Sequence, residues 1–150
     1  MRSIMATRIV GIDFGMARIG VAISDVMKII ASPLATVKVV KPSEKTVYSV
    51  IETIRKAEKD TGDTVEKVVI GLPYKMNGTL GLMGDEVKHF AEQLESKMGI
   101  PVVLWDERFT TVQAERAMRE ANMSRKKRSK IIDVTSAIVI LQSFLAHLTC

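Results

Sequence analysis

Cysteine and histidine are almost absent from this sequence, and their scarcity excludes several kinds of site. The only cysteine is Cys150, the last of 150 residues, so the chain can build neither a disulfide framework nor a cysteine zinc site. The two histidines, His89 and His147, are expected on helix surfaces rather than as metal ligands. The sequence also lacks a Walker-type phosphate loop, an HExxH pattern and a CxxC pattern. Zinc and Walker-type nucleotide sites are therefore not expected.

A secretory or membrane-spanning segment is also lacking. The N-terminus reaches Asp13 without the apolar core of a signal peptide. The apolar stretch over 131–150 is interrupted by Asp133, Gln142 and His147, whereas a membrane span needs roughly 20 predominantly apolar residues. We therefore expect a cytoplasmic chain with no membrane partner. Its length predicts a single domain over 1–150, too short for two lobes with a cleft between them.

Positive charge is concentrated in one segment. The formal net charge is +5, but residues 116–130 contain seven basic residues and one acidic residue, so the rest of the chain is close to neutral. A local basic patch is typical of a surface that binds a polyanion such as nucleic acid. A solvated, charged loop would give the same pattern, and the charge alone does not decide between them.

Hydrophobic periodicity predicts an α/β fold with the element order βββαβαβαα. Three strands joined by short connections indicate an antiparallel meander, with Gly15 expected to supply a positive φ in the first turn. Later strands alternate with helices, which favours a mixed sheet with helices on its faces. Ser43 is expected to cap the first helix, and Thr110 with Gln113 the third. The strands are predicted over 8–15, 18–25, 29–40, 67–71 and 102–106, and the last helix over about 130–147.

Four acidic residues lie where such a fold would bring element ends together. Asp13 ends an apolar strand, Asp106 and Glu107 end the fifth strand, and Asp133 is predicted in the first turn of the last helix. Ligands of these sheets bind outside the carboxyl ends of the parallel strands. Adjacent strand residues point to opposite faces, so at most one of Asp106 and Glu107 is expected to face Asp13. The small residue Ala137 would let the last helix approach the sheet and bring Asp133 toward the strand ends.

Carboxylates from separate elements are what Mg²⁺ or Mn²⁺ requires, and two such ions roughly 4 Å apart can promote phosphoryl transfer. Each acid also has an ordinary structural explanation. Asp13 would reach solvent at its strand end, Asp106 or Glu107 would cap a helix or pair with Arg108, and Asp133 would interact with a helix dipole. The set of acids, rather than any one of them, indicates a metal site.

These motifs resemble the YqgF family, which is described as Holliday-junction-resolvase-like and as a nuclease of pre-16S ribosomal RNA. The resemblance runs in order over most of the chain. It comprises GIDFG at 11–15, RIGVA at 18–22, GLP at 71–73 followed by NGT at 77–79, DERFTT at 106–111, and Ile132-Asp133 with Ser136-Ala137. The block beginning with Asp106 is its most specific part.

The resemblance implies a ribonuclease H-like fold with strand order 3-2-1-4-5 and helices on both faces. It also implies a metal-dependent nuclease, using Mg²⁺ or Mn²⁺, that processes the 5′ end of 16S ribosomal RNA during ribosome biogenesis. By position it assigns catalysis to Asp13, Asp133 and either Asp106 or Glu107, and we favour Glu107 beside Asp13 and Asp133 as the metal ligands. Resolvases carry an acid just after the fourth strand, whereas this chain has Gly71-Leu72-Pro73, which weakens cleavage of DNA junctions as the function.

Nucleic-acid binding is predicted for basic residues near the acids, with RNA favoured over branched DNA. Arg18 and Arg108 would hold a phosphate, although either would serve equally well as the partner of a carboxylate. The basic run would bind the backbone in a salt-dependent way; its residues are Arg125, Lys126, Lys127, Arg128 and Lys130. The sequence leaves open whether the protein is a monomer or a homodimer.

Three other functions remain compatible with the pattern. An ATPase or sugar kinase shares the fold but binds ATP between two lobes. A non-catalytic RNA-binding protein would keep the fold without cleavage, which the intact acidic set disfavours. A resolvase would keep the chemistry and act on branched DNA.

Overall fold

The computed structural model describes residues 6–72, 83–107 and 125–148, with the backbone alone over 125–134. Five strands and three helices lie in these ranges, and we number them in chain order. The strands are β1 (Thr7–Phe14), β2 (Arg18–Ser24), β3 (Ala31–Lys38), β4 (Thr64–Leu72) and β5 (Val102–Asp106). The helices are α1 (Ser43–Thr61), α2 (Gly84–Met98) and α3 (Arg125–Leu148). The helix predicted from Thr110 lies outside the described residues.

All five strands form one sheet in the order β3-β2-β1-β4-β5. The pairs β1–β2 and β2–β3 are antiparallel, whereas β1–β4 and β4–β5 are parallel. This arrangement confirms the predicted meander, the mixed sheet and the strand order. The central strands β1 and β4 are buried on both faces, as their unbroken apolar runs predict.

Helices cover both faces of the sheet. On one face, which we call the α1/α2 face, Val10, Ile12 and Ile70 pack with residues of α1 and α2. On the other, the α3 face, Ile9 and Val69 pack with residues of α3. None of the helices in the described part of the chain is long and apolar enough to cross a membrane.

Helix α3 runs antiparallel to β4. A Cβ built on Gly71, near the carboxyl end of β4, would lie 2.5 Å from Cδ1 of Ile140. Four residues earlier on the strand, Nζ of Lys67 lies 5.6 Å from the ring centre of Phe144, which is four residues later on the helix. The N-terminal end of α3 therefore extends toward the carboxyl ends of β1, β4 and β5.

Helix α3 begins five residues earlier than the sequence indicates, at Arg125 rather than near Lys130. Asp133 is therefore the ninth residue of the helix and not in its first turn, so that part of the prediction was wrong. At this distance from the terminus the helix dipole has little effect on a carboxylate, which weakens the structural explanation for Asp133.

Three smaller expectations were also wrong. Pro42 rather than Ser43 is the N-cap of α1. Gly15 has no positive φ; instead its N–H donates to the carbonyl oxygen of Arg18 at 3.0 Å, in a turn too tight for a Cβ. Strand β3 begins at Ala31, because the carboxylate of Asp25 accepts the N–H groups that precede it and holds them in a turn.

Candidate functional site

Asp13 lies near the carboxyl end of β1 on the α3 face. Strand alternation gives this face Ile9, Gly11 and Asp13, and the first two are packed against α3. Asp13 itself is half-buried. A carboxylate in this position is costly to bury without compensating interactions, so its surroundings decide its role.

The side chain of Glu107 lies directly over Gly71, on the same face. A Cβ on Gly71 would be 2.7 Å from Oε1 of Glu107 and 3.0 Å from its Cγ. The parallel register pairs Ile12 with Ile70, so one step further Asp13 is level with Gly71. Neighbouring strands are about 4.8 Å apart. The carboxylate of Glu107 is therefore about one strand spacing from the position of Asp13.

Asp106 belongs to the opposite face. Its neighbour Trp105 packs on the α3 face, whereas Leu104 packs on the α1/α2 face. Alternation along β5 therefore directs Asp106 away from Asp13. The expectation that at most one of the two adjacent acids shares the face of Asp13 agrees with this geometry, and that acid is Glu107.

Asp133 lies on the part of α3 that extends from Gly11 toward the end of the sheet where Asp13 lies. A Cβ on Gly11 would lie 3.2 Å from the carbonyl oxygen of Ala137 and 2.5 Å from Cβ of Leu141, so α3 rests almost directly on β1 there. Asp133 is one helical turn, about 6 Å, before Ala137. Asp13 is two residues, about 6.6 Å, beyond Gly11 on the antiparallel strand. The backbone at Asp133 thus crosses the sheet near the same edge.

Two glycines allow α3 and Glu107 to lie close to the sheet, and sequence reasoning did not select them for this role. Gly11 admits the backbone of α3, and Gly71 leaves room for Glu107 and Ile140. Both glycines lie inside buried strands, where glycine weakens a strand and often marks close approach of another group. That placement was the available signal.

The predicted basic residues have different outcomes. Arg18 begins β2 and, by alternation with Ala22, belongs to the α3 face shared with Asp13. Arg108 lies outside the described residues. The basic run over 125–130 forms the N-terminal part of α3, whose first turn contains no acidic residue. Cations there add to the positive end of the helix dipole and are unfavourable for the isolated helix, which suits an anionic ligand.

The donor set fits a hard divalent cation. Carboxylates from β1 and from the residue after β5 share one face, and the missing side chain of Gly71 lets Glu107 lie against the strand beside Asp13. Among residues with described side chains, no group of three or more metal-ligating residues is found. The side chain of Asp133, the third expected donor, is not among those described.

The family described as "RuvX: Holliday junction resolvase" matches residues 7–147 of this chain. A protein of Protochlamydia amoebophila named "Putative pre-16S rRNA nuclease" is 55% identical over 139 residues, covering 93% of both chains. A protein of Listeria innocua with the same name is 46% identical over 139 residues, covering 92% of this chain and 96% of its own.

The fold is also found in RuvC of Thermus thermophilus. That structure superposes with a TM-score of 0.53 at 14% identity, covering 95% of this chain and 96% of RuvC. The likeness establishes a ribonuclease H-like fold, as the resemblance implied. At this identity it carries no information about the substrate.

Proposed function

Because the chain belongs to the RuvX family, also called YqgF, we propose that it is a metal-dependent nuclease that processes the 5′ end of pre-16S ribosomal RNA. The observation that carries the proposal is the pairing of Asp13 with Glu107. Asp13 and Glu107 share one face of the sheet, and the Glu107 carboxylate lies over Gly71, the residue of the neighbouring strand that is level with Asp13.

Asp13, Glu107 and Asp133 would hold Mg²⁺ or Mn²⁺. When bound, such an ion activates a water molecule and stabilises the leaving oxygen of phosphodiester hydrolysis. The protein orients these donors through rigid elements, since Asp13 lies on a buried central strand and Asp133 on a helix seated against Gly11. Asp106 faces away and would act indirectly.

The basic residues would bind and orient the RNA. Arg18, on the face of Asp13, would hold a phosphate near the acids, and Arg108 would do the same from the residue after Glu107. The N-terminal part of α3 lies beyond the strand ends, so its cations would bind the backbone on either side of the cleaved bond.

A second candidate is cleavage of branched DNA, which the family description favours. Against it, this chain has Gly71-Leu72-Pro73 where resolvases carry an acid just after the fourth strand, so the fourth carboxylate of such a site is lacking in that segment. The names of the curated relatives also favour RNA.

Cleavage of labelled RNA tests the proposal. Purified protein is incubated with 5′-labelled precursor 16S RNA, and in parallel with a four-way DNA junction, in Mg²⁺, Mn²⁺ or EDTA. We expect metal-dependent cutting of the RNA that Asp13→Asn reduces by about 1,000-fold or more, since a lost metal ligand removes several kcal/mol of transition-state stabilisation. The matched control is Asp63→Asn, which removes an acid at the far end of the sheet.

Two results would overturn the proposal of a metal-dependent nuclease. Cutting that persists in EDTA would exclude the metal site, and equal cutting by Asp13→Asn would exclude Asp13 from catalysis. Cleavage of the junction but not of the RNA would transfer the assignment to the second candidate.

A further inference from the structure

A cavity of about 350 Å³ lies on the α1/α2 face, at the same end of the sheet as the acids. Its walls come from the end of β1, the β3–α1 connection and α2. Phe14, Val40, Pro42 and Phe90 provide apolar surface, and the volume lies in the range of small-molecule pockets. The cavity begins one residue after Asp13, so the two sites lie at the same carboxyl edge of β1 but on opposite faces of the sheet.

The aromatic walls suit a flat ring. The rings of Phe14 and Phe90 have centres 5.0 Å apart and are tilted by 51°. Phe14 is only half-buried, so part of its ring remains accessible from the cavity side. Stacking of a base on an aromatic side chain tolerates any sequence, because every base has a π face.

Polar groups of the cavity suit the remainder of a nucleotide. The exposed Lys41 and the first turn of α1 lie at its rim, and no side chain of the described residues caps that turn. Uncapped N–H groups at a helix start bind phosphate. Glu44 in the same turn is negatively charged, opposite in sign to Lys41, and repels a phosphate. The base should therefore contribute more to binding than the phosphate.

Gln93 gives an independent sign of a missing polar partner. Its Oε1 is buried and accepts no hydrogen bond from the described residues. Such an atom costs free energy unless a donor reaches it. Gln93 and Glu86 both belong to the cavity wall. The exposed carboxylate of Glu86 is an acceptor suited to the ring or amino N–H groups of a base, whereas a base would reach Oε1 of Gln93 only after the Gln93 side chain rotates toward the cavity.

We propose that this cavity binds one unpaired nucleobase of the substrate strand, with an adjoining phosphate at Lys41 and the start of α1. As a substrate subsite it rests on the proposed function. A base that enters it cannot remain in a duplex, and extracting a paired base costs several kcal/mol. The protein therefore prefers a strand that contains unpaired nucleotides over continuous duplex.

The test is equilibrium binding in EDTA, where no cleavage occurs. Fluorescence anisotropy gives the Kd of a short labelled single-stranded RNA for wild type, Val40→Trp and Val26→Trp. Val40 and Val26 are similarly exposed, at 36% and 39%, so the two substitutions are matched. A tryptophan at position 40 fills the cavity, whereas a tryptophan at position 26 adds surface at the far end of the sheet. We expect Val40→Trp to raise the Kd about tenfold, because one base can no longer stack in the cavity. Val26→Trp should leave the Kd unchanged.

A second measurement needs no variant. Adenosine monophosphate is titrated into isotope-labelled wild type, and we expect saturable amide shifts at Phe14, Val40 and Phe90. The proposal would be overturned by amide shifts confined to α3 or by equal Kd values for the two tryptophan variants. It would also be overturned if the same amides shift when the protein alone is concentrated, because the cavity would then bind a second copy of the chain. Binding is measured in EDTA and cleavage with metal, so a failed cleavage assay and a failed binding assay are separate results.

Discussion

The two ends of the central sheet place acidic residues differently. At the amino ends of β1 and β4, Oδ2 of Asp63 lies 2.8 Å from Nε of Arg8, and Oε1 of Glu66 lies 3.0 Å from Nζ of Lys28. At the carboxyl ends, two acids from different elements share one face, with Glu107 over Gly71 on the face of Asp13.

The proposed function gives the two groups different tasks. It assigns the acids of the amino end to stability, since opposite charges in contact stabilise the native state modestly. It assigns the acids of the carboxyl end to a bound cation.

The largest difference in cleavage rate is expected between substitutions of the two adjacent acids, Asp106 and Glu107. Glu107→Gln should lower cleavage of precursor RNA by about 100-fold or more, because it removes a charged donor on the face of Asp13. Asp106→Asn should lower it less than about tenfold, since alternation directs Asp106 to the other face. Single-turnover rates at saturating metal measure both.

The two substitutions control for each other, since each removes one negative charge at neighbouring positions. Equal losses would mean that the face of the strand does not decide the role. A larger loss in Asp106→Asn would reverse the assignment.

Gly71→Ala should have the next largest effect. Its Cβ would lie 2.5 Å from Ile140 and 2.7 Å from Glu107, so one of these must move. We expect a loss of about 1 to 3 kcal/mol in the free energy of unfolding, measured by urea denaturation, and about tenfold slower cleavage. Gly62→Ala is the control: its φ of +77° strains an alanine by a similar amount, but nothing lies within 4 Å. If both variants cleave like wild type, Gly71 does not position Glu107.

Much of the fold could be predicted because its signals are local. The apolar runs of β1 and β4 and the meander before α1 follow from periodicity, whereas the strand order came from the family resemblance. The β3 boundary was missed because it depends on a side chain, Asp25, that accepts hydrogen bonds from the N–H groups of Ile29 and Ile30. Local pattern does not reveal such competition.

The sequence predicts which acids belong to the candidate site but not how they are arranged. Asp13, Glu107 and Asp133 stand out as acids at element ends, but the choice of Glu107 over Asp106 requires the face that β5 presents to α3. The roles of Gly11 and Gly71 require the position of α3 on the sheet, a tertiary contact that no short pattern encodes. The position of Asp133 was misjudged because charged residues at 125–130 suggested a loop where the helix had already begun.

A smaller effect is expected at the amino end. Asp63→Asn removes the partner of Arg8, and both side chains are partly buried, so unfolding should become easier by about 1 kcal/mol. The rate of RNA cleavage should remain that of wild type, since the change lies a strand length from Asp13. Urea denaturation and the cleavage assay on the same preparation separate the two quantities. A cleavage defect without a stability loss would contradict the division between the two ends.

The smallest effect concerns Glu66 and pH. Burial raises the pKa of Glu66, but hydrogen bonds from Lys28 and Thr7 and the charges of Lys28 and Lys67 outweigh it and hold the pKa below its ordinary value of 4.5. The folded state thus binds this proton less readily than the unfolded state, so the ionised carboxylate favours folding above about pH 4.5 and loses that advantage as pH falls through the lowered pKa. Glu66→Gln should be slightly less stable than wild type at pH 7, and the difference should shrink in acid. The exposed Glu52→Gln is the control, and a difference that grows as pH falls would show that Glu66 does not stabilise the fold through its charge.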